Sequence, residues 1–277
     1  MELGYNTNGL AHHDIVQAIE LLAEIGYRSV AITVDQHVLN PLSSSLAEEV
    51  DRVRKCLDRL HMRSVIETGA RYLLDPRTKH EPTLVTAVAA ARERRIDFLR
   101  TSIDLAVELG SDCVSLWSGI LRDQVTEEVG LDRLAESLAQ VTAHAEKQGI
   151  VLGFEPEPGM FIDTMPRFEE LTRRLDAPSL QLTLDLGHLH CQGELPIDDQ
   201  IRRWGPRIVN VHIEDMRRGI HEHLIFGDGE MDFPPILQAL REIEFSGGVH
   251  VELSRHSHVG PAVASQAFHF LYSMMPR

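Results

Sequence analysis

Short apolar or β-branched runs recur along this chain, separated by longer stretches whose apolar positions return every three or four residues. Eight runs read as strands: "LGYNT" from Leu3, "SVAITV" from Ser29, "SVIET" from Ser64, "CVSLWS" from Cys113, "VLGFE" from Val151, "LQLTLD" from Leu180, "IVNVHI" from Ile208 and "VHVEL" from Val249. Between the first two, "DIVQAIELLAEIGY" sets Ile15, Ile19, Leu22 and Ile25 on one helical face, with Gly26 as a left-handed cap. The pattern returns in "FLRTSIDLAVELGSD", where Leu99, Ile103, Ala106 and Leu109 form a stripe closed by Gly110, and in "LDRLAESLAQVTAHAEKQG", closed by Gly149. Further helices are predicted from Ser45 to Leu60, Pro166 to Leu175, Pro234 to Ile243 and Ala262 to Met274, and "GARYLLDPRTKHEP" reads as a long loop after the third strand.

Eight strands alternating with helices over 277 residues give about 35 residues per unit, the size of a single (β/α)8 TIM barrel spanning 1–277. A doubly wound parallel sheet is the alternative arrangement.

Composition narrows the partners more than the fold. With 42 acidic against 27 basic side chains, a formal net charge of -15, the mean field repels phosphate backbones and anionic membrane surfaces, so neither nucleic acid nor a membrane is expected. Cys56, Cys113 and Cys191 are too few and too scattered for a disulfide framework or a zinc knuckle, which suits a reducing cytoplasm. The opening "MELGYNTNGL" lacks the charged-then-apolar run of a signal peptide, and no stretch approaches the length of a membrane span. A soluble cytoplasmic protein is the expectation.

In a parallel barrel all strand C-termini open onto one mouth. Strand five ends in Glu155, strand six in Asp185, strand seven in His212 and strand eight in Glu252, one ligand type per consecutive unit. Three carboxylates and an imidazole converging there repel one another unless a cation joins them, since like charges at short range drive carboxyl pKa values up. This oxygen-rich set with one nitrogen suits a divalent metal: Mn²⁺ is the expected ion, and Co²⁺, Mg²⁺ and Zn²⁺ also fit.

The segments "GFEPEPGMF", "LTLDLGHLHC", "NVHIED" followed by "FGDGEMDF", and "HVEL" resemble the xylose isomerase-like barrel superfamily of sugar isomerases and epimerases, which also contains inosose dehydratases and endonuclease IV. The similarity runs over nearly the whole chain. It implies a metal held by Glu155, Asp185, His212 and Glu252, with Glu155 and Glu252 also moving the proton α to a carbonyl of a small carbohydrate-like ketone. It further implies that His188 and Arg217 face substrate, with Arg218 the neighbouring candidate for the arginine. Glu157 joins Glu155 in the mouth if strand alternation persists, or turns outward with its flanking prolines.

The same resemblance raises a second metal. In endonuclease IV an Asp-x-His pair and the histidine after the strand-six aspartate bind an extra zinc, and His221, His223 and His188 could imitate that site. The endonuclease also needs histidines at strands three and four, where this chain has Thr68 and Trp117, so its full centre is not expected. Trp117 and Phe161 are candidates for an apolar wall against a sugar ring, and His37 and Arg71 follow strands two and three. Cys191 lacks a base partner for nucleophilic chemistry, and Gly227-x-Gly229 is too short for a dinucleotide fingerprint. No compact cationic cluster demands a phosphorylated substrate.

The expected activity is therefore a metal-dependent isomerase or epimerase of a small polyhydroxy ketone. The alternatives are an inosose-type dehydratase, a hydrolase using the second metal, and a non-catalytic metal-binding scaffold. Barrels of this kind often pair, so a homo-oligomer is compatible with the sequence, although no segment specifies an interface.

Overall fold

The computed structural model describes residues 1–175 and 177–275. Eight parallel strands close into a barrel: β1 (Glu2–Asn6), β2 (Ser29–Thr33), β3 (Arg63–Glu67), β4 (Val114–Leu116), β5 (Leu152–Phe154), β6 (Leu180–Asp185), β7 (Ile208–Ile213) and, after a small hairpin, β10 (Gly248–Val251). Each strand pairs with its predecessor, and β10 closes the ring on β1 through the register Leu3 to Val249. All eight predicted strands are present, and the doubly wound alternative is excluded by that closure.

The helices that wrap the barrel are α1 (Ile15–Ile25), α2 (Leu46–Leu60), α3 (Ala89–Leu109), α4 (Glu127–Gln148), α5 (Met165–Arg174), α8 (Phe233–Glu242) and α9 (Gly260–Met274). Local chemistry sets their ends. Asp14 caps α1 by accepting the Val16 and Gln17 N–H groups, and the chain leaves α1, α3 and α4 through Gly26, Gly110 and Gly149, all at positive φ. Ile15, Ile19 and Leu22 are buried against the barrel, whereas Ile25 is only half-buried because its end of α1 lies at the rim.

Four features are not in the periodic pattern. The "LGHLHC" segment turns at once into α6 (Leu186–Gln192), whose N-cap is Asp185, and α7 (Ile197–Trp204) follows before β7. After β7 the chain makes an antiparallel hairpin, β8 (Asp215–Arg217) with β9 (Ile220–Leu224). The loop after β3 runs to α3, and His80 within it is tied back by a 2.7 Å contact from Nδ1 to the Gly69 carbonyl.

Part of the barrel interior is polar. Ser29, His250, Asn210, Glu67 and His212 form one hydrogen-bonded chain across it, with links of 2.8, 2.8, 3.1 and 2.9 Å. The apolar core is one large cluster, and Ala31, Val65 and Cys113 form a small separate one. The three cysteines are buried and unbonded to one another. Among the described residues no helix is long and apolar enough to cross a membrane.

Candidate metal centre and substrate cavity

Strands β5, β6, β7 and β10 deliver Glu155, Asp185, His212 and Glu252 to one point, with one ligand atom from each inside a 4.8 Å cluster. His212 Nδ1 lies 3.1 Å from Glu155 Oε1, 3.0 Å from Glu252 Oε2 and 3.8 Å from Asp185 Oδ2. Three of the four groups are anchored by one atom and turn another inward. His212 Nε2 sits 2.9 Å from Glu67 Oε1, Glu252 Oε1 accepts from Asn8 Nδ2 at 2.8 Å, and Asp185 Oδ1 accepts the His188 N–H at 2.7 Å as the cap of α6. Such anchoring fixes ring tautomer and carboxylate direction before anything binds.

Burial makes the cluster electrostatically tense. It raises the Glu155 carboxyl to about 8 against the pull of His212, and lifts Glu157 well above the usual carboxylate range with Glu155 and Glu252 adding to the effect. Burial opposes ionisation of Glu252 and Asp185 too. The His223 and His212 rings nonetheless hold Glu252 low, and His188 leads the rings that hold Asp185 low. Burial also opposes charging His212, yet Glu67, Glu155 and Glu252 push its pKa well above the ordinary value. Asp185 Oδ2, fully buried, has no hydrogen-bond partner among the described residues. Three inward carboxylates, one of them with the orphaned Asp185 Oδ2, and one inward imidazole nitrogen match the donor set of a divalent cation.

The comparison with known families agrees with this architecture. The model of the xylose isomerase-like TIM barrel matches residues 19–274. The chain belongs to the xylose isomerase-like TIM barrel family. L-ribulose-5-phosphate 3-epimerase UlaE of Shigella flexneri serotype 5b is 21% identical over 250 residues, covering 89% of this chain and 84% of that protein. Inosose dehydratase of Clostridium beijerinckii is 28% identical over 161 residues, 52% of this chain, and the match spans only 51% of that protein's length. Among solved structures, a D-tagatose 3-epimerase-like protein superposes with TM-score 0.77 at 19% identity over 99% of both chains. The IOLI protein with a bound zinc atom does so with TM-score 0.79 at 18% identity, over 99% of this chain and 98% of that one. At these identities the superpositions establish the fold.

Within this xylose isomerase-like barrel a cavity of about 510 Å³ opens over the cluster, lined by Glu155, His212 and Glu252 and by Glu157, His188, Trp117, His221 and His223. Glu157 lines it, so strand alternation prevails over the turning effect of the two prolines. His188 is buried, with Nδ1 3.2 Å from the Pro156 carbonyl and Nε2 3.0 Å from His221 Nε2. The rings of His188, His221 and His223 converge, each offering a nitrogen to a second cluster within 4.8 Å. Trp117 forms one wall, edge-on to His80, with the buried Arg95 guanidinium 4.7 Å from its ring on the far side.

Arg217 is not brought to the cavity. Once β7 gives way to the hairpin, the chain leaves the barrel axis, and Arg217 ends exposed, donating to the Asp228 carbonyl at 2.9 Å. Arg218 is exposed beside it. Arg255 lines the cavity instead, together with Arg71 and Lys79, so cations scattered through the sequence meet around one opening. His37 faces a separate cleft beside Glu49 and Arg52, and Phe161 packs under Arg167.

Sequence reasoning did not single out Glu67, Asn8 or Glu214. The one signal for Glu67 was a carboxylate closing the apolar run "SVIET". Glu214 follows His212 by two positions, so strand alternation points it the same way.

Proposed function

We propose that this protein is a divalent-metal-dependent isomerase or epimerase acting on a small polyhydroxylated ketone by proton abstraction next to the carbonyl. The observation that carries the reading is the pairing of Glu155 and Glu252 across His212 Nδ1, at 3.1 and 3.0 Å, beneath a cavity of sugar size. Glu155, Asp185, His212 and Glu252 would hold the cation, and the bound zinc of the IOLI structure supports a metal in this type of barrel. Mn²⁺ is our preferred ion, with Zn²⁺, Co²⁺ and Mg²⁺ compatible with the same donors. When bound, the cation stabilises the negative charge that develops on the substrate oxygens as the C–H bond breaks.

The remaining work belongs to the chain. Glu155 and Glu252 approach the reacting carbon from two strands, so one takes the proton while the other returns or relays it. His188, with Nδ1 fixed on the Pro156 carbonyl, and Glu157 orient substrate hydroxyls, and Trp117 packs against the ring's C–H face. Glu67 keeps the His212 ring in place throughout.

The test is solvent deuterium exchange. Metal-loaded protein is incubated in D₂O with a panel of ketoses and inososes, and label at the carbon next to the carbonyl is read by NMR. Incorporation without loss of water supports isomerisation or epimerisation, and absence of exchange with every member overturns the reading. Dehydration is the second reading, favoured by the inosose dehydratases among the relatives. It begins with the same abstraction and differs by loss of water from the product. A hydrolase using a second cation is a third, and it depends on where that cation sits.

A further inference from the structure

We propose that a second divalent cation binds beside the first, held by Asp185, Glu214 and His223, with Asp185 shared between the two ions. This rests on the first cation site of the proposed function and adds to it. Glu214 reaches the mouth because it lies two positions beyond His212 on the same side of the chain, and it is completely buried. Among the described residues neither of its carboxylate oxygens has a hydrogen-bond partner. The same is true of Asp185 Oδ2 and His223 Nδ1. His223 Nδ1 stands 3.8 Å from Glu214 Oε2, and one atom from each of the three residues falls inside a 4.8 Å cluster.

The isolation of Glu214 is unusual within this site. Glu67 is served by Asn210 and His212, Glu252 by Asn8 and His212, and the adjacent Asp215 by four backbone N–H groups. An ionised carboxylate buried without a partner costs several kcal/mol, and a cation that draws in three orphaned atoms at once removes that cost. Space has been left for it. A Cβ on Gly187, in the first turn of α6, would stand 1.8 Å from Glu214 Oε1, so only glycine there admits the carboxylate.

The His188, His221 and His223 cluster is the competing location, and it is less in need of an ion. His188 donates from Nδ1 to the Pro156 carbonyl, which leaves its Nε2 to accept from His221 Nε2 at 3.0 Å, so these two rings satisfy each other. The competing locations share His223 and differ in Asp185 and Glu214 against His188 and His221.

Metal-stripped protein is saturated with Mn²⁺, freed of excess by gel filtration, and analysed for metal content and by low-temperature electron paramagnetic resonance. The wild type is expected to hold about two equivalents with an exchange-coupled spectrum, because ions sharing a carboxylate lie close together. Glu214→Gln, nearly isosteric, is expected to retain about one equivalent with the spectrum of an isolated ion, and His221→Ala to keep both. His223→Gln should reproduce the Glu214→Gln result, and thermal melting of each variant verifies that it is folded. One equivalent in the wild type, unchanged in Glu214→Gln, overturns the second ion and leaves the first site standing. Loss of an equivalent in His221→Ala but not in Glu214→Gln assigns the ion to the histidine cluster and also overturns it. No bound metal in the wild type overturns both sites.

Discussion

Asp215 ties the hairpin after β7 to the loop that follows it, and removing it gives a sharp stability test. The residue is buried at 2% exposure, and its carboxylate accepts four backbone N–H groups: Met216 at 2.9 Å, Gly227 at 2.9 Å, Gly229 at 3.0 Å and Met231 at 3.1 Å. Gly229 is required by this approach, since a Cβ there would lie 2.2 Å from Asp215 Oδ1. Hydrogen bonds to a charged acceptor contribute about 1.5–3 kcal/mol each. In Asp215→Ala the Met216 and Met231 N–H groups are orphaned in buried positions and the half-buried Gly229 N–H partly so, whereas Gly227 is exposed and recovers water. Counting two full losses and one partial one, the variant is expected to be destabilised by about 3–5 kcal/mol, the range found when a buried charged network loses its centre. Asp215→Asn retains one acceptor and should lose about half of that. Urea unfolding measures the difference, and amide hydrogen exchange at Gly227, Gly229 and Met231 locates it. A loss below about 1 kcal/mol in Asp215→Ala, or fast exchange of these amides in the wild type, refutes the reasoning. Because the four ligands of the first site stand on barrel strands, Asp215→Ala should still bind metal there.

Three further outcomes are expected. Glu155→Gln and Glu252→Gln each lower deuterium exchange into an accepted ketose by about 10²–10⁴-fold, measured by NMR under metal saturation, and retention of exchange in both would remove the carboxylates from the chemistry. Glu67→Ala frees the His212 ring and weakens metal binding by about 10–100-fold in a competitive chelator titration; an unchanged affinity would show that the ring needs no anchor. Burial lowers the His80 pKa from 6.5 to about 4, so between those values the unfolded chain binds a proton that the folded chain refuses. Its neutral burial therefore favours the fold fully above pH 6.5 and progressively less as pH falls toward 4. At about pH 5 the loss amounts to about 2 kcal/mol, which His80→Gln should abolish in urea titrations at the two pH values; parallel pH curves for both proteins would contradict it.

The sequence by itself determined the βα repeat and the four strand-end groups that meet at the mouth, because both rest on short-range rules. Period-two strands, the stripes of α1, α3 and α4 and the glycines that end them are each encoded within a dozen or so residues, and eight such units are the size of one closed barrel. Once the strands are parallel, shared polarity brings Glu155, Asp185, His212 and Glu252 to one end without further information. Only the tertiary structure decided how that end is wired. Glu67 meets His212 across 145 residues and Asn8 meets Glu252 across 244, pairings that leave no local trace. The hairpin after β7 has no strong period, and it is this hairpin that turns Arg217 to solvent and aims His223 at Glu214. Burial, too, is a property of the assembled barrel: nothing in "HIED" distinguishes Asp215, bonded by four amides, from Glu214 beside it, buried with no hydrogen-bond partner among the described residues, until the loops have closed over both.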